Sequence, residues 1–299
     1  SKDVLDVFDG TSHWQVPNTS RGIAGLIKRL GACGPLPGAR LTCESTGRYG
    51  HLLAAMCLDA GLPVTIANPR AVRDFARATG CLAKTDRIDC AILAAYAAAI
   101  HPPVLGDDWK GRQRFVELHS RMRSLIAAAA AQKAAAHQSR DRRILAEIRG
   151  TVALLERRAA AYAKELQTLV DASPSMKIRR ERMTAIKGVG KHTALALLAA
   201  MPELGTLNRQ QAGALAGLAP MNRDSGTMRG KRCIQAGRAP VRSALYMAAL
   251  SASRHHPTLA PFYQRLRGKG KRARAALCAV ARKLLVQINS TLKSLPAET

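Results

Sequence analysis

Asp86 and Asp89 stand three residues apart in the run Lys84-Thr85-Asp86-Arg87-Ile88-Asp89. Side chains at i and i+3 of a helix share a face, so both carboxylates can be aimed at one point. Such a pair repels unless a proton or cation lies between, and carboxylate oxygens are preferred ligands of hard divalent ions. Acids in a first helical turn also favour the helix dipole with no further role, and the pair alone does not separate these readings. The other suggestive residue is Ser225, beside Gly226 in MNRDSGTMRGKRCIQAGRAPVR, residues 221–242. Arg223, Arg229, Lys231 and Arg232 crowd around it. A hydroxyl ringed by cations is suited to attacking a phosphodiester, because the cations stabilise the transition state and glycine admits the phosphate. A mobile basic loop that only holds nucleic acid would have the same composition.

These groups need scaffolds. Ile88, Ala91, Ile92, Ala95 and Ala99 recur at helical spacing behind the acids, with Thr85 as N-cap. Upstream, residues 4–8 and 13–16 read as hairpin strands, and Asn18-Thr19-Ser20 caps a helix through Ile23, Leu26, Ile27 and Leu30. A buried strand over residues 40–43 ends in Glu44. A helix through Leu52, Leu53, Met56 and Leu58 follows, then a strand over 63–66, the turn Asn68-Pro69 and a basic helix over 70–79. Strands alternating with helices predict an α/β domain with a mixed sheet over residues 1–104.

Residues 105–176 read as a coiled-coil or long helical region. One apolar seam runs Phe115, Leu118, Met122, Leu125, Ala129; another runs Leu145, Ile148, Val152, Leu155, Ala159, Tyr162, Leu166, Leu169. The polar run from His137 to Arg143 separates two helices that either fold back as a hairpin or pair between subunits. Residues 177–299 read as an all-α C-terminal domain. Within it Lys187-Gly188-Val189-Gly190-Lys191 resembles a helix–hairpin–helix turn able to grip a phosphate backbone, although a plain inter-helix turn has the same pattern. Lys269, Lys271 and Arg272 form a second phosphate clamp before the last helix. His255-His256 reads as a surface turn, since adjacent helical side chains do not converge on a metal.

Charge separates the parts. Residues 1–108 carry 11 basic and 10 acidic residues, 109–176 carry 13 and 6, and 177–299 carry 23 and 4, within a total of +27. A near-neutral body is thus followed by a polycation, whose natural counterpart is nucleic acid. No stretch reads as a signal peptide or membrane span. Seven cysteines without a C-x-x-C pattern, most of them within apolar runs, suggest reduced core thiols in a cytosolic protein, and no membrane partner is expected.

Taken together, Glu44-Ser45-Thr46-Gly47-Arg48-Tyr49, Ala67-Asn68-Pro69, Asp86 to Asp89, Ile186 to Gly190, Ala216 to Pro220, Asp224-Ser225-Gly226, Arg242 to Met247 and Gly268 to Lys271 resemble, in order and spacing, the Piv/MooV-type DEDD insertion-sequence transposases. The resemblance implies an RNase H-like, RuvC-type N-terminal domain whose acids bind Mg2+, then the helical region, then a C-terminal domain supplying a serine nucleophile. Glu44, Asp86 and Asp89 match the second to fourth acids, and Ser225 matches the nucleophile. The first acid would stand two residues before Ser1, which implies a start truncated upstream; Asp3 and Asp6 lie close by but off the motif position. Donor and target DNA, a non-coding bridge RNA that selects sites by base pairing, and a homodimer or homotetramer are the implied partners.

The expected activity is therefore DNA strand cutting and rejoining through Ser225, with Tyr49 the next candidate nucleophile. Two rivals use the same residues otherwise: a RuvC-like nuclease that hydrolyses branched DNA with metal-activated water, and a non-enzymatic nucleic-acid binder.

Overall fold

The computed structural model describes the chain except residues 1, 33–39, 46–48, 82–85, 107, 222–223, 226–227, 230–232, 235–236 and 295–299. It forms two compact units, residues 1–111 and 112–299.

In the first unit, β1 (Val4–Phe8) and β2 (His13–Pro17) pair antiparallel, with Leu5 opposite Val16 and Val7 opposite Trp14. The Asp9 carboxylate accepts from the amides of Thr11 and Ser12, which closes the turn and holds the carboxyl below its ordinary range. Helix α1 (Ser20–Ala32) starts against Pro17, and a β-carbon at Gly22 would lie 2.3 Å from the Pro17 carbonyl oxygen. Only glycine fits there. Strand β3 (Leu41–Glu44) crosses over through α2 (His51–Asp59) to β4 (Val64–Ala67), and the strands pair in parallel with Glu44 opposite Ala67. Helix α3 (Pro69–Ala78) begins at a capping Asn68 and carries its proline in the first turn, where no amide is needed. Helix α4 (Asp86–Ile100) follows.

Ile23, Leu26, Leu53, Ala54, Cys57 and Val64 form the core, and Ala67, Val72, Ala76, Ile92 and Tyr96 form a second cluster. The expected mixed sheet is not formed among the described residues: the antiparallel and parallel pairs stand as separate ladders. Neighbouring groups take up backbone polar atoms instead. The Cys90 thiol donates to the Asp6 carbonyl at 3.4 Å, and the Leu105 amide to the Val64 carbonyl at 2.7 Å. The buried stripe of α4 is also rotated from the expected one: Ala95 and Ala99 are exposed, and Tyr96 is buried with Ile92. A tyrosine removes far more apolar area from water than an alanine, so it decides which face turns inward.

The second unit is mostly helical. Helices α5 (Trp109–Ala136) and α6 (Arg142–Ala172) fold back on each other within one chain. Arg114 meets Glu165 at 3.1 Å and Lys133 meets Glu156 at 2.6 Å, a pairing only an antiparallel hairpin allows. Phe115, Met122 and Leu125 share the core with Ala159 and Leu166, and Asp141 caps α6 by accepting from the Arg143 and Ile144 amides. Of the two arrangements open at the sequence level, this is the intrachain one.

Helices α7 (Pro174–Thr184), α8 (Lys191–Ala200) and α9 (Arg209–Leu215) come next. Asn208 and Gln211 form a reciprocal capping box on α9. After them stand four two-residue strands: β5 (Pro220–Met221), β6 (Asp224–Ser225), β7 (Met228–Arg229) and β8 (Cys233–Ile234). The last helices are α10 (Ala239–His255), α11 (Leu259–Gly268) and α12 (Ala273–Lys293). Leu284, Leu285 and Ile288 place α12 at the centre of the core.

Two expectations are corrected here. The C-terminal domain is not all-α, since β5 pairs with β8 and β6 with β7. His256 is not on the surface: it is buried, and its Nδ1 accepts from the amides of Thr258 and Leu259, capping the start of α11. Free donors at a helix start need an acceptor, and the imidazole Nδ1 supplies one.

Candidate functional site

Glu44 is the last residue of β3 and is half-buried. Asp86 opens α4, and Asp89, one turn later, is half-buried. Helix α4 packs on both β1 and β3. The next residue, Cys90, is tied to the Asp6 backbone in the middle of β1. The acids therefore lie on two elements packed against each other. Asp6 itself accepts from the Gln15 side-chain amide at 2.8 Å. Thr85, the expected cap, and the Asp86 side chain lie outside what the structure describes; among the described residues no group of three ligating side chains is gathered. The donor set is nonetheless all carboxylate oxygen, the chemistry that suits Mg2+ or Mn2+ and not a soft metal.

Behind these acids the interior is apolar. Burial pushes the Cys43 thiol up to about 11, with Cys57 adding to it, and burial pushes the Cys57 thiol up to about 11 as well. Neither is a nucleophile in that state. Cys81 is exposed. Tyr49 is 48% exposed, and its carbonyl accepts from the Asn18 side chain.

In the second unit, Ser225 closes the inner ladder of an arm. It pairs with Met228, and Asp224 pairs with Arg229. Below it Met221 pairs with Cys233 and Pro220 with Ile234. A stretch that reads in sequence as an open loop thus satisfies part of its backbone by pairing with itself. Ser225 and Arg229 are described by their backbones only; Arg223, Lys231 and Arg232 lie outside the described residues.

The base of the arm is held by groups the sequence reading missed. Gly237 has φ +75°, and a β-carbon there would sit 2.2 Å from the Gly217 nitrogen. The Arg238 amide donates to the Leu215 carbonyl at 2.8 Å. Its guanidinium grips both carboxylate oxygens of Glu203, and it also donates to the Ala200 carbonyl at 2.8 Å. Burial pushes the Glu203 carboxyl up, but the hydrogen bonds and charge of Arg238 outweigh it and hold the group below its ordinary range. In a segment so poor in acids, a lone glutamate in the connection between α8 and α9 was the available signal.

Lys187 and Lys191 flank a turn in which Gly188 has φ +97° and lies against Ala252 of α10, and both lysines are exposed. Lys269, Lys271 and Arg272 are exposed at the α11–α12 turn. Among the described residues no helix is long and apolar enough to cross a membrane.

Comparison with known proteins gives two family matches. An IS110-type DEDD transposase family matches residues 9–148, and the transposase IS116/IS110/IS902 family matches residues 180–264. The chain is 26% identical over 255 residues to pilin gene-inverting proteins of Moraxella bovis and Moraxella lacunata, covering 82% of this chain and 77% of each relative. It is also 29% identical over 144 residues to an uncharacterized 43.6 kDa protein of insertion element IS110 from Streptomyces coelicolor, covering 47% of this chain and 34% of that protein.

Proposed function

We propose that the chain is an insertion-sequence transposase of the IS110 family, a DNA recombinase that cuts and rejoins DNA through Ser225 acting with Glu44, Asp86 and Asp89. The observation that carries this reading is the distribution of those residues over the family matches. All three acids fall within residues 9–148, and the serine falls within 180–264. In this reading residues 1–104 are the RNase H-like acidic domain, 105–176 the helical spacer and 177–299 the domain that carries the nucleophile.

Glu44, Asp86 and Asp89 would hold Mg2+ or Mn2+, which when bound supplies charge stabilisation to a phosphate. The Ser225 hydroxyl attacks phosphorus, the Oγ–P bond forms, and the leaving strand departs as a hydroxyl. The phosphoserine conserves the bond for rejoining without ATP. Arg229, with Arg223, Lys231 and Arg232, neutralises the phosphate oxygens. Lys187, Lys191, Lys269, Lys271 and Arg272 hold backbones without reading sequence. Site selection by a bridge RNA accords with so large a cationic surface, and strand exchange requires a dimer or tetramer to keep the cut ends together.

The test is trapping of covalent protein–DNA adducts on donor DNA with Mg2+ and the cognate RNA. Wild type and Tyr49→Phe form adducts, and Ser225→Ala forms none. Adducts that persist in Ser225→Ala would move the nucleophile elsewhere. Hydrolysed ends with no adduct in wild type would make the protein a nuclease.

A further inference from the structure

Away from the serine arm, α9, α11 and α12 line an open groove of about 770 Å3. Arg209, Gln210, Phe262, Arg282, Lys283 and Gln287 are among its lining residues. The Arg282 guanidinium lies over the bare backbone of α9, where a β-carbon at Gly213 would come within 3.5 Å of its Nε. It is half-buried, and among the described residues it has no hydrogen-bonding or ionic partner. Nor have Arg209 and Lys283 an acidic partner there. The four acids of residues 177–299 do not supply one: Glu181 and Glu203 are taken by Arg180 and Arg238, and the side chains of Asp224 and Glu298 lie outside the described residues. A half-buried cation without a counter-ion is unfavourable until an anion arrives.

The groove is not only cationic. Lys283 Nζ stands 4.3 Å from the centre of the Phe262 ring and the Arg265 guanidinium 5.4 Å. A ring covered by an exposed ammonium can exchange that cover for a nucleobase, because both use the same π face. The displaced lysine is then free to meet the phosphate that accompanies the base. An acidic peptide would satisfy the charges but has no flat group for the ring. The helix pair α11–α12 that forms the groove also ends in the exposed Lys269, Lys271 and Arg272, so the cations continue along the same two helices.

We propose that this groove is a site for an unpaired nucleotide, with its base stacked on Phe262 and its phosphate between Arg282 and Arg209. The inference rests on the reading of the chain as a recombinase, since single strands arise when duplexes are opened or when an RNA is bound. The experiment uses the full chain and fluorescence anisotropy with labelled oligothymidylate, oligouridylate and a blunt duplex. Phe262→Leu keeps an apolar side chain and Arg282→Gln keeps a polar one; melting temperatures check that each variant folds, and Lys283→Gln is the exposed substitute should either not fold.

Phe262→Leu is expected to weaken single-strand binding roughly tenfold and to leave duplex binding unchanged. Arg282→Gln should lower the salt slope of single-strand binding by about 1. A loss confined to the deoxy or the ribo oligomer identifies which strand the groove takes. Folded variants that bind both oligomers as wild type does overturn the site, as does displacement of the oligomers by polyglutamate that Phe262→Leu does not alter. The adduct assay on Ser225 reports on the recombinase reading independently of all these outcomes.

Discussion

Arg238 holds Glu203 with both terminal guanidinium nitrogens, at 2.6 and 2.7 Å, across the foot of the arm that carries Ser225. Arg238 is the N-cap residue of α10, and Glu203 lies just beyond α8, so one bidentate contact ties the end of the arm to the helical body. Glu203→Gln keeps the shape and removes the charge. Because both side chains are about a third exposed, the expected loss is only about 1 kcal/mol, read by urea unfolding. Adduct formation should slow severalfold with DNA affinity unchanged. The Glu203 carboxyl is held low, so its stabilisation is complete above the ordinary carboxylate range and disappears as the pH falls through the lower folded value.

Gly237→Ala meets two obstacles at once, a positive φ and the Gly217 backbone at 2.2 Å. Neither obstacle is a side-chain end that can swing away. The expected destabilisation is about 2 kcal/mol or more, measured as a shift in the denaturant midpoint. Gly10→Ala has the same kind of φ with nothing near its β-carbon, and should be milder, near 1 kcal/mol.

His119 is buried on α5, and burial, together with Arg123 and His192, pushes its imidazole down to about 4. The folded protein keeps it neutral while the unfolded chain takes up a proton below about 6.5. Stability should therefore be full above pH 6.5 and decline towards pH 4, by a few kcal/mol at most. His119→Gln removes that proton uptake. Unfolding curves from pH 7 to 4.5 should show a shallower decline in the variant than in wild type.

Asp89→Asn relieves repulsion among carboxylates and removes a ligand oxygen. Recombination is expected to disappear while the melting temperature in chelator stays equal or rises. Mn2+ should raise the melting temperature of wild type and leave the variant unmoved. A variant that still recombines would take Asp89 out of the site.

Lys133 and Glu156 span the α5–α6 hairpin, but both are more than half exposed. Lys133→Ala should cost less than about 0.5 kcal/mol. Leu166→Ala, in the fully buried seam of the same hairpin, should cost about 3 kcal/mol. Thermal unfolding of the two variants ranks the contributions.

Local chemistry was legible in the chain itself. Asn68 before Pro69, Asp141 before α6 and Asn208 with Gln211 mark helix starts because their side chains satisfy amides only a few residues away. The acids at the start of α4, the seams of α5 and α6 and the charge divide follow from spacing and composition in the same way. What lay beyond local order needed the tertiary structure. Spacing could not say whether the two seams close within one chain, because the same apolar stripe serves both arrangements. It turned α4 by its alanines, whereas the larger Tyr96 decides the buried face. It left His256 on the surface: the amides it caps are only two and three residues away, but the burial of its ring is set by tertiary packing. The bidentate contact of Arg238 with Glu203, 35 residues earlier, belongs to the fold alone: hydrogen bonds between groups remote in sequence carry no periodic signature.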